Sequence, residues 1–171
     1  MNGFWCSCCG QWHDEMPMDF VYPPPQSLVG TRENPLPGAT ITSDWCITGD
    51  REYLVRCCLN LPVIDGPRAF SYGVWSSVSE KSFHRIMELW NDARCAEELP
   101  YFSYLLINIG GYPKTWGLEA TLVTHSVTDR PLLYLAPSDH PLAVEQREGI
   151  TIARAQEIAE QMLHPPSAAQ S

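Results

Sequence analysis

The chain has 171 residues, 44% of them hydrophobic, which suffices for one substantial core and is short for two ordinary domains. Eleven Lys and Arg stand against 20 Asp and Glu, a formal net charge of −9, so the surface repels phosphate backbones; nucleic-acid binding is disfavoured, and a basic or neutral protein partner fits better. No run approaches the roughly 18 apolar residues of a membrane span, no basic and apolar leader opens the sequence, and seven cysteines are too odd a set for a complete disulfide framework; the expectation is a cytoplasmic protein with no membrane association.

The first ten-residue motif is Phe4-Trp5-Cys6-Ser7-Cys8-Cys9-Gly10-Gln11-Trp12-His13. Cys6 and Cys9 stand in C-x-x-C spacing, Gly10 supplies the positive φ that a chelating turn needs, and His13 lies close enough to be a third ligand. Two rival readings accompany zinc: a pair of unremarkable surface thiols, and a redox pair. A redox C-x-x-C opens a helix after a strand, and the nearby Pro17 leaves little room for that context. Trp5 and Trp12 flank the turn and are expected to shield it.

Pro17, Pro23, Pro24, Pro25, Pro35 and Pro37 make 16–38 an irregular extended segment, held as a wrap by Phe20, Val21, Tyr22 and Leu28. From Ala39 a period-two pattern begins, with Ile41, Trp45 and Ile47 on one face and Thr42, Asp44, Cys46 and Thr48 on the other. A second strand alternates Tyr53, Val55, Cys57, Leu59, Leu61 and Val63 against Leu54, Arg56, Cys58 and Asn60. It turns at Asp65-Gly66-Pro67 and returns through Phe70, Tyr72, Val74 and Val78 as an antiparallel hairpin.

Ser77-Val78-Ser79-Glu80 matches a capping box, and Phe83, Ile86, Met87 and Trp90 form the apolar stripe of the helix that follows. Tyr101 to Ile107 is apolar without clear period and receives no assignment. Leu118, Ala120 and Leu122 alternate as a strand, and Leu132 to Leu135 makes another. Pro141 and Gly149 bracket a helix, and Ile152, Ala155, Ile158, Ala159 and Met162 line one more. The expected architecture is α+β: a mainly antiparallel sheet of four to five strands packed by two or more helices, with an N-terminal zinc-knuckle-like turn. The whole of 1–171 is taken as one domain, with 1–38 as knuckle and wrap, 39–164 as core and 165–171 as a disordered tail.

Cys6-x-x-Cys9-Gly10 with His13, Ser43-Asp44-x-Cys46, Tyr72-Gly73-Val74-Trp75-Ser76-x-Val78-Ser79-Glu80 and His140-Pro141-Leu142-Ala143-x-x-Gln146-x-x-Gly149-Ile150 together resemble a bacterial family known as domain of unknown function 2199. The likeness spans roughly residues 4 to 163 and implies an architecture rather than an activity. Cys57-Cys58 stands where the family usually carries Gly and an aliphatic residue, and Cys8 occupies a variable position, which weakens any functional case for these three thiols.

One C-x-x-C supplies two ligands, and a closed structural site needs two more. Cys46 is chosen because a merely packed cysteine is out of place on a polar face, whereas Cys57 sits among core positions, Cys58 points away from it and Cys95 follows the helix stripe. The expected zinc ligands are Cys6, Cys9, His13 and Cys46, with His13 alternatively a solvated loop histidine. His140, beside Asp139 and near Glu145 and Glu148, reads first as a helix N-cap and second as acid/base equipment; His84, His125 and His164 show no partner in the sequence. Nucleotide, esterase and metalloprotease motifs are absent. The functional expectation is a zinc-stabilised binding or accessory domain with no catalytic residues. The alternative is an enzyme, using Cys6 and Cys9 for thiol redox chemistry or an open zinc site with His140 for hydrolysis.

Overall fold

A computed structural model describes residues 3–165; the expected tail at 165–171 therefore lies, apart from Pro165, outside the described residues. The two long strands follow from the alternation that marks them. β6 (Tyr53–Leu61) and β7 (Phe70–Val78) each bury alternate side chains, and they pair antiparallel from Tyr53↔Val78 to Leu61↔Phe70. Around them stand β1 (Phe4–Trp5), β2 (Trp12–His13), β3 (Asp19–Val21), β4 (Thr40–Ile41), β5 (Trp45–Ile47), β8 (Tyr101–Leu105), β9 (Glu119–Val123) and β10 (Leu132–Leu135). The helices are α1 (Gln26–Val29), α2 (Glu80–Glu88), α3 (Pro141–Glu148) and α4 (Ile152–Leu163).

The expectation of an α+β fold on a four-to-five-stranded, mainly antiparallel sheet packed by helices is overturned. One eight-stranded sheet runs β3-β7-β8-β9-β10-β6-β5-β4, and because β6 also pairs with β7, five of its strands close into a barrel. An odd meander cannot close antiparallel throughout, so β10 meets β6 in parallel, at the single register pair Leu132↔Cys58. The sequence count fell short for two reasons. The strand expected from Ala39 is two short ones, β4 and β5, joined by a turn at Thr42–Asp44. In β8 the outward residues Phe102 and Tyr104 are aromatic and largely exposed, so no polar alternation marks the strand.

Closure leaves β10 short of hydrogen bonds, and α3 supplies them. Gln146 Oε1 accepts from the Leu135 amide at 2.7 Å, and Gln146 Nε2 donates to the Leu133 carbonyl at 2.7 Å. Its carboxamide thus stands in for a strand residue. Gly149, at φ 84°, ends α3 and lets Ile150 exchange backbone hydrogen bonds with Pro62 and Ile64. The helix after β7 is capped by Ser79, which accepts from the Ser82 amide, and not by Ser77 as the motif predicts; Ser77 and Val78 are still paired in the sheet.

The segment 16–38 is tied to the edge of β7 and carries buried side chains of its own. β3 pairs parallel with β7, the Trp75 indole donates to the Tyr22 carbonyl at 3.1 Å, and Met16, Met18 and Val29 are buried. Both sides of β5 are covered: Trp45 meets Phe83 of α2 edge-on, while Cys46 and Thr48 are buried on the other side.

Candidate metal centre

The knuckle is the tip of a hairpin in which β1 and β2 pair Phe4↔His13 and Trp5↔Trp12. The Cys6 amide donates to the Gln11 carbonyl at 2.9 Å and the Gly10 amide to the Cys6 carbonyl at 3.0 Å, closing a tight turn that Gly10 enters at φ 64°. Burial pushes the Cys6 thiol up, but the amides of Cys9 and Cys8 and the Cys9 thiol point at its sulfur, and the net direction is downward. Desolvation pushes Cys9 up, opposed by the Gln11 amide and reinforced by Cys6. At Cys6 this convergence of backbone N–H dipoles on sulfur favours a thiolate, the form that binds a metal, whereas the net direction at Cys9 is upward.

Two-residue strands do not hold a hairpin by themselves. This one is held by α4, through residues spaced four apart on a single helix face. Gln156 Nε2 donates to the Trp5 carbonyl at 3.2 Å, and Glu160 accepts from the Ser7 amide at 3.0 Å and from the Ser7 hydroxyl. His164, the C-cap residue of α4, continues the same face into the knuckle. The hydrogen bonds from Ser7 and Gln156 hold the Glu160 carboxylate below the usual range.

Cys6, Cys9, His13 and His164 each bring one ligand atom to a common point, all within 4.8 Å of one another. Zinc about 2.3 Å from sulfur and about 2.0 Å from nitrogen holds tetrahedral ligand atoms roughly 3.3–3.8 Å apart; Cys9 Sγ and His13 Nε2 are 3.4 Å apart. His164 Nε2 is shut off from solvent and has no hydrogen-bond partner among the described residues, a deficit that a metal bond at this cluster would relieve. The Phe4 ring stacks on His13 at 5.1 Å and 15°, and the two imidazoles are 5.9 Å apart. Two sulfurs and two imidazoles are a donor set of the kind that binds a divalent transition metal.

Three of the four ligands expected from sequence are therefore together, and Cys46 is not among them. It is fully buried on β5, and burial pushes its thiol up to about 11. The alternation makes its face polar through Thr42, Asp44 and Thr48, but in the fold Cys46 and Thr48 are buried while Thr42 and Asp44 are only half-buried. His164 takes its place in the cluster. Nothing local marks it, since its neighbours in sequence supply no second ligand; only its position one helical turn beyond Glu160 on the apolar-backed face of α4 carried a signal. The expected shielding by Trp5 and Trp12 is absent: they lie on the opposite side of the hairpin, 65% and 54% exposed, and Phe4 covers the site instead.

His140 is spent as an N-cap. Nδ1 accepts from the Leu142 amide at 3.2 Å, which leaves Nε2 protonated and facing the Pro113 carbonyl at 3.2 Å. Cys57 faces the barrel interior, where burial pushes its thiol up to about 12. Cys95 is also buried, Cys58 is half-buried and Cys8 is exposed. No helix among the described residues is long and apolar enough to cross a membrane.

A family model described as "Uncharacterized protein conserved in bacteria (DUF2199)" matches residues 5–150, and the chain belongs to that family. No curated protein and no solved structure matches the chain.

Proposed function

We propose that this member of the DUF2199 family is a non-catalytic binding or accessory domain whose N-terminal hairpin is pinned to its last helix by one structural zinc ion, held by Cys6, Cys9, His13 and His164. The observation that carries the reading is the closed Cys2His2 donor set with the orphaned His164 Nε2. Four protein ligands leave the ion no vacant position, so its contribution is to folding. The seven free cysteines, two of them gathered with two histidines in the metal cluster, accord with a reducing cytoplasm. A protein partner accords with the acidic surface.

Neither enzymatic alternative gains a specific observation. Both ring nitrogens of His140 are occupied by backbone groups, and a hydrolytic zinc needs an open position. Elemental analysis with thiol titration tests the proposal: one tightly held zinc per chain, with Cys6 and Cys9 unreactive until a chelator is added, is the expected result. A metal-free protein whose Cys6 and Cys9 form and break a disulfide with a dithiol would overturn it.

A further inference from the structure

The unexplained feature of the hairpin is its outer face. Trp5 and Trp12 are direct cross-strand neighbours with ring centroids 6.2 Å apart, and more than half of each side chain faces water. Exposing two adjacent indoles forgoes the burial that Trp normally gains, and a rigid aromatic pair of this kind is the usual centre of a contact surface. The pair is held rigidly, since the hairpin beneath it is fixed by the hydrogen bonds of Gln156 to the Trp5 carbonyl and of Ser7 to Glu160, and by the cluster of Cys6, Cys9, His13 and His164. Rigidity established before contact lowers the entropy cost of binding.

Charge selects the occupant. The Trp12 indole donates to Asp14 Oδ1 at 3.1 Å, and Glu15 is exposed beside it; among the described residues neither carboxylate forms an ion pair. The first fifty residues carry six acidic side chains, Asp14, Glu15, Asp19, Glu33, Asp44 and Asp50, against the single base Arg32. Indole faces bordered by unpaired carboxylates recognise a flat cation: a guanidinium lies over the ring and its N–H groups reach the carboxylate.

We infer that the Trp5–Trp12 face, bordered by Asp14 and Glu15, docks a basic segment of a partner protein by laying an arginine side chain on the indoles. This rests on the reading of the chain as a zinc-pinned binding domain and names the chemistry of its partner.

The test uses the full, zinc-loaded chain and a synthetic peptide of alternating Gly and Arg, with a citrulline-for-arginine peptide of the same length as the neutral control. Binding is followed by NMR, through the indole N–H signals of Trp5 and Trp12. The arginine peptide should shift those two signals, and Trp5→Ala and Trp12→Ala should each weaken it by about fivefold or more. Asp14→Asn should weaken it about threefold, and citrulline about tenfold. Glu33→Gln, elsewhere on the acidic surface, should change it less than twofold. The inference is overturned if the tryptophan variants bind as well as the parent, which would mean general charge attraction, or if the citrulline peptide binds equally, or if neither peptide binds. It is also overturned if sedimentation shows a dimer that Trp5→Ala dissolves, because the occupant is then a second copy. Zinc content measured on the same samples separates this failure from failure of the zinc reading: a chain with one zinc and no arginine-dependent shift defeats only the docking inference.

Discussion

Replacing His164 with alanine perturbs the metal cluster at the one ligand that only the folded chain brings there. Structural zinc in small peptides contributes about 10–16 kcal/mol, so each of four ligands carries about 2.5–4 kcal/mol. A water entering the vacated position recovers part of this. The dissociation constant for zinc should therefore rise about 100-fold, about 2.7 kcal/mol. At a fixed free zinc concentration well above both constants, the apparent stability of the folded chain falls by the same amount. For a chain of this size that lowers the melting temperature by about 5–10 °C. Competition against a chromophoric chelator reads the affinity, and calorimetry in zinc-buffered solution reads the melting shift. Cys46→Ser is the companion variant. It places a hydroxyl in a fully buried site and should cost about 1–3 kcal/mol of stability while leaving zinc affinity unchanged. If His164→Ala holds zinc as tightly as the parent, or if Cys46→Ser loses it, the ligand set drawn here is wrong.

Other consequences follow from the same contacts. In the zinc-loaded protein a disulfide reagent should react rapidly with exposed Cys8, reach Cys9 only after chelation, and leave Cys46 and Cys57 untouched until unfolding, because burial pushes those two thiols to about 11 and about 12. Gln146→Leu should destabilise the fold by about 2–4 kcal/mol, since the Leu135 amide and Leu133 carbonyl both lose their partner at the barrel seam; denaturant unfolding measures it, and an unchanged midpoint would refute the role of Gln146 as a substitute strand residue. Gly10→Ala meets no atom within 4 Å of the added methyl, so its cost is conformational alone, about 1 kcal/mol, seen as a lower melting temperature. The hydrogen bonds from Arg85 and Tyr101 hold the Glu98 carboxylate down to about 2. Because the folded value lies below the unfolded one, this stabilisation is complete above about pH 4.3 and disappears as pH falls toward about 2. The stability difference between parent and Glu98→Gln should shrink over that window and stay flat above it.

Structure that depends on residues near one another in the chain is legible in the sequence wherever a local rule governs it. Alternation along Tyr53–Leu61 and Phe70–Val78 marks two strands because each side chain's face depends only on its position in its own strand. Pro141 and Gly149 bracket α3 for the same reason, as fixed φ and positive φ are properties of single residues. The spacing of Cys6, Cys9 and Gly10 marks a tight turn by itself, and the fold does bring both sulfurs into one cluster there.

What tertiary structure decided is which surfaces are covered and which distant groups meet. Closure of the barrel depends on β10 reaching β6, a pairing that no pattern within either strand encodes. Cys46 looks polar by its neighbours, yet it is a packed thiol because β5 is covered on both sides, a fact of packing that its own strand does not encode. Trp5 and Trp12 look like shields by adjacency, yet strand alternation turns Phe4 and His13 toward the site and both tryptophans away from it. The fourth ligand is the clearest case. Ser7 and Glu160 are 153 positions apart, and only when α4 packs along the hairpin does its face carry His164 to the two cysteines and His13.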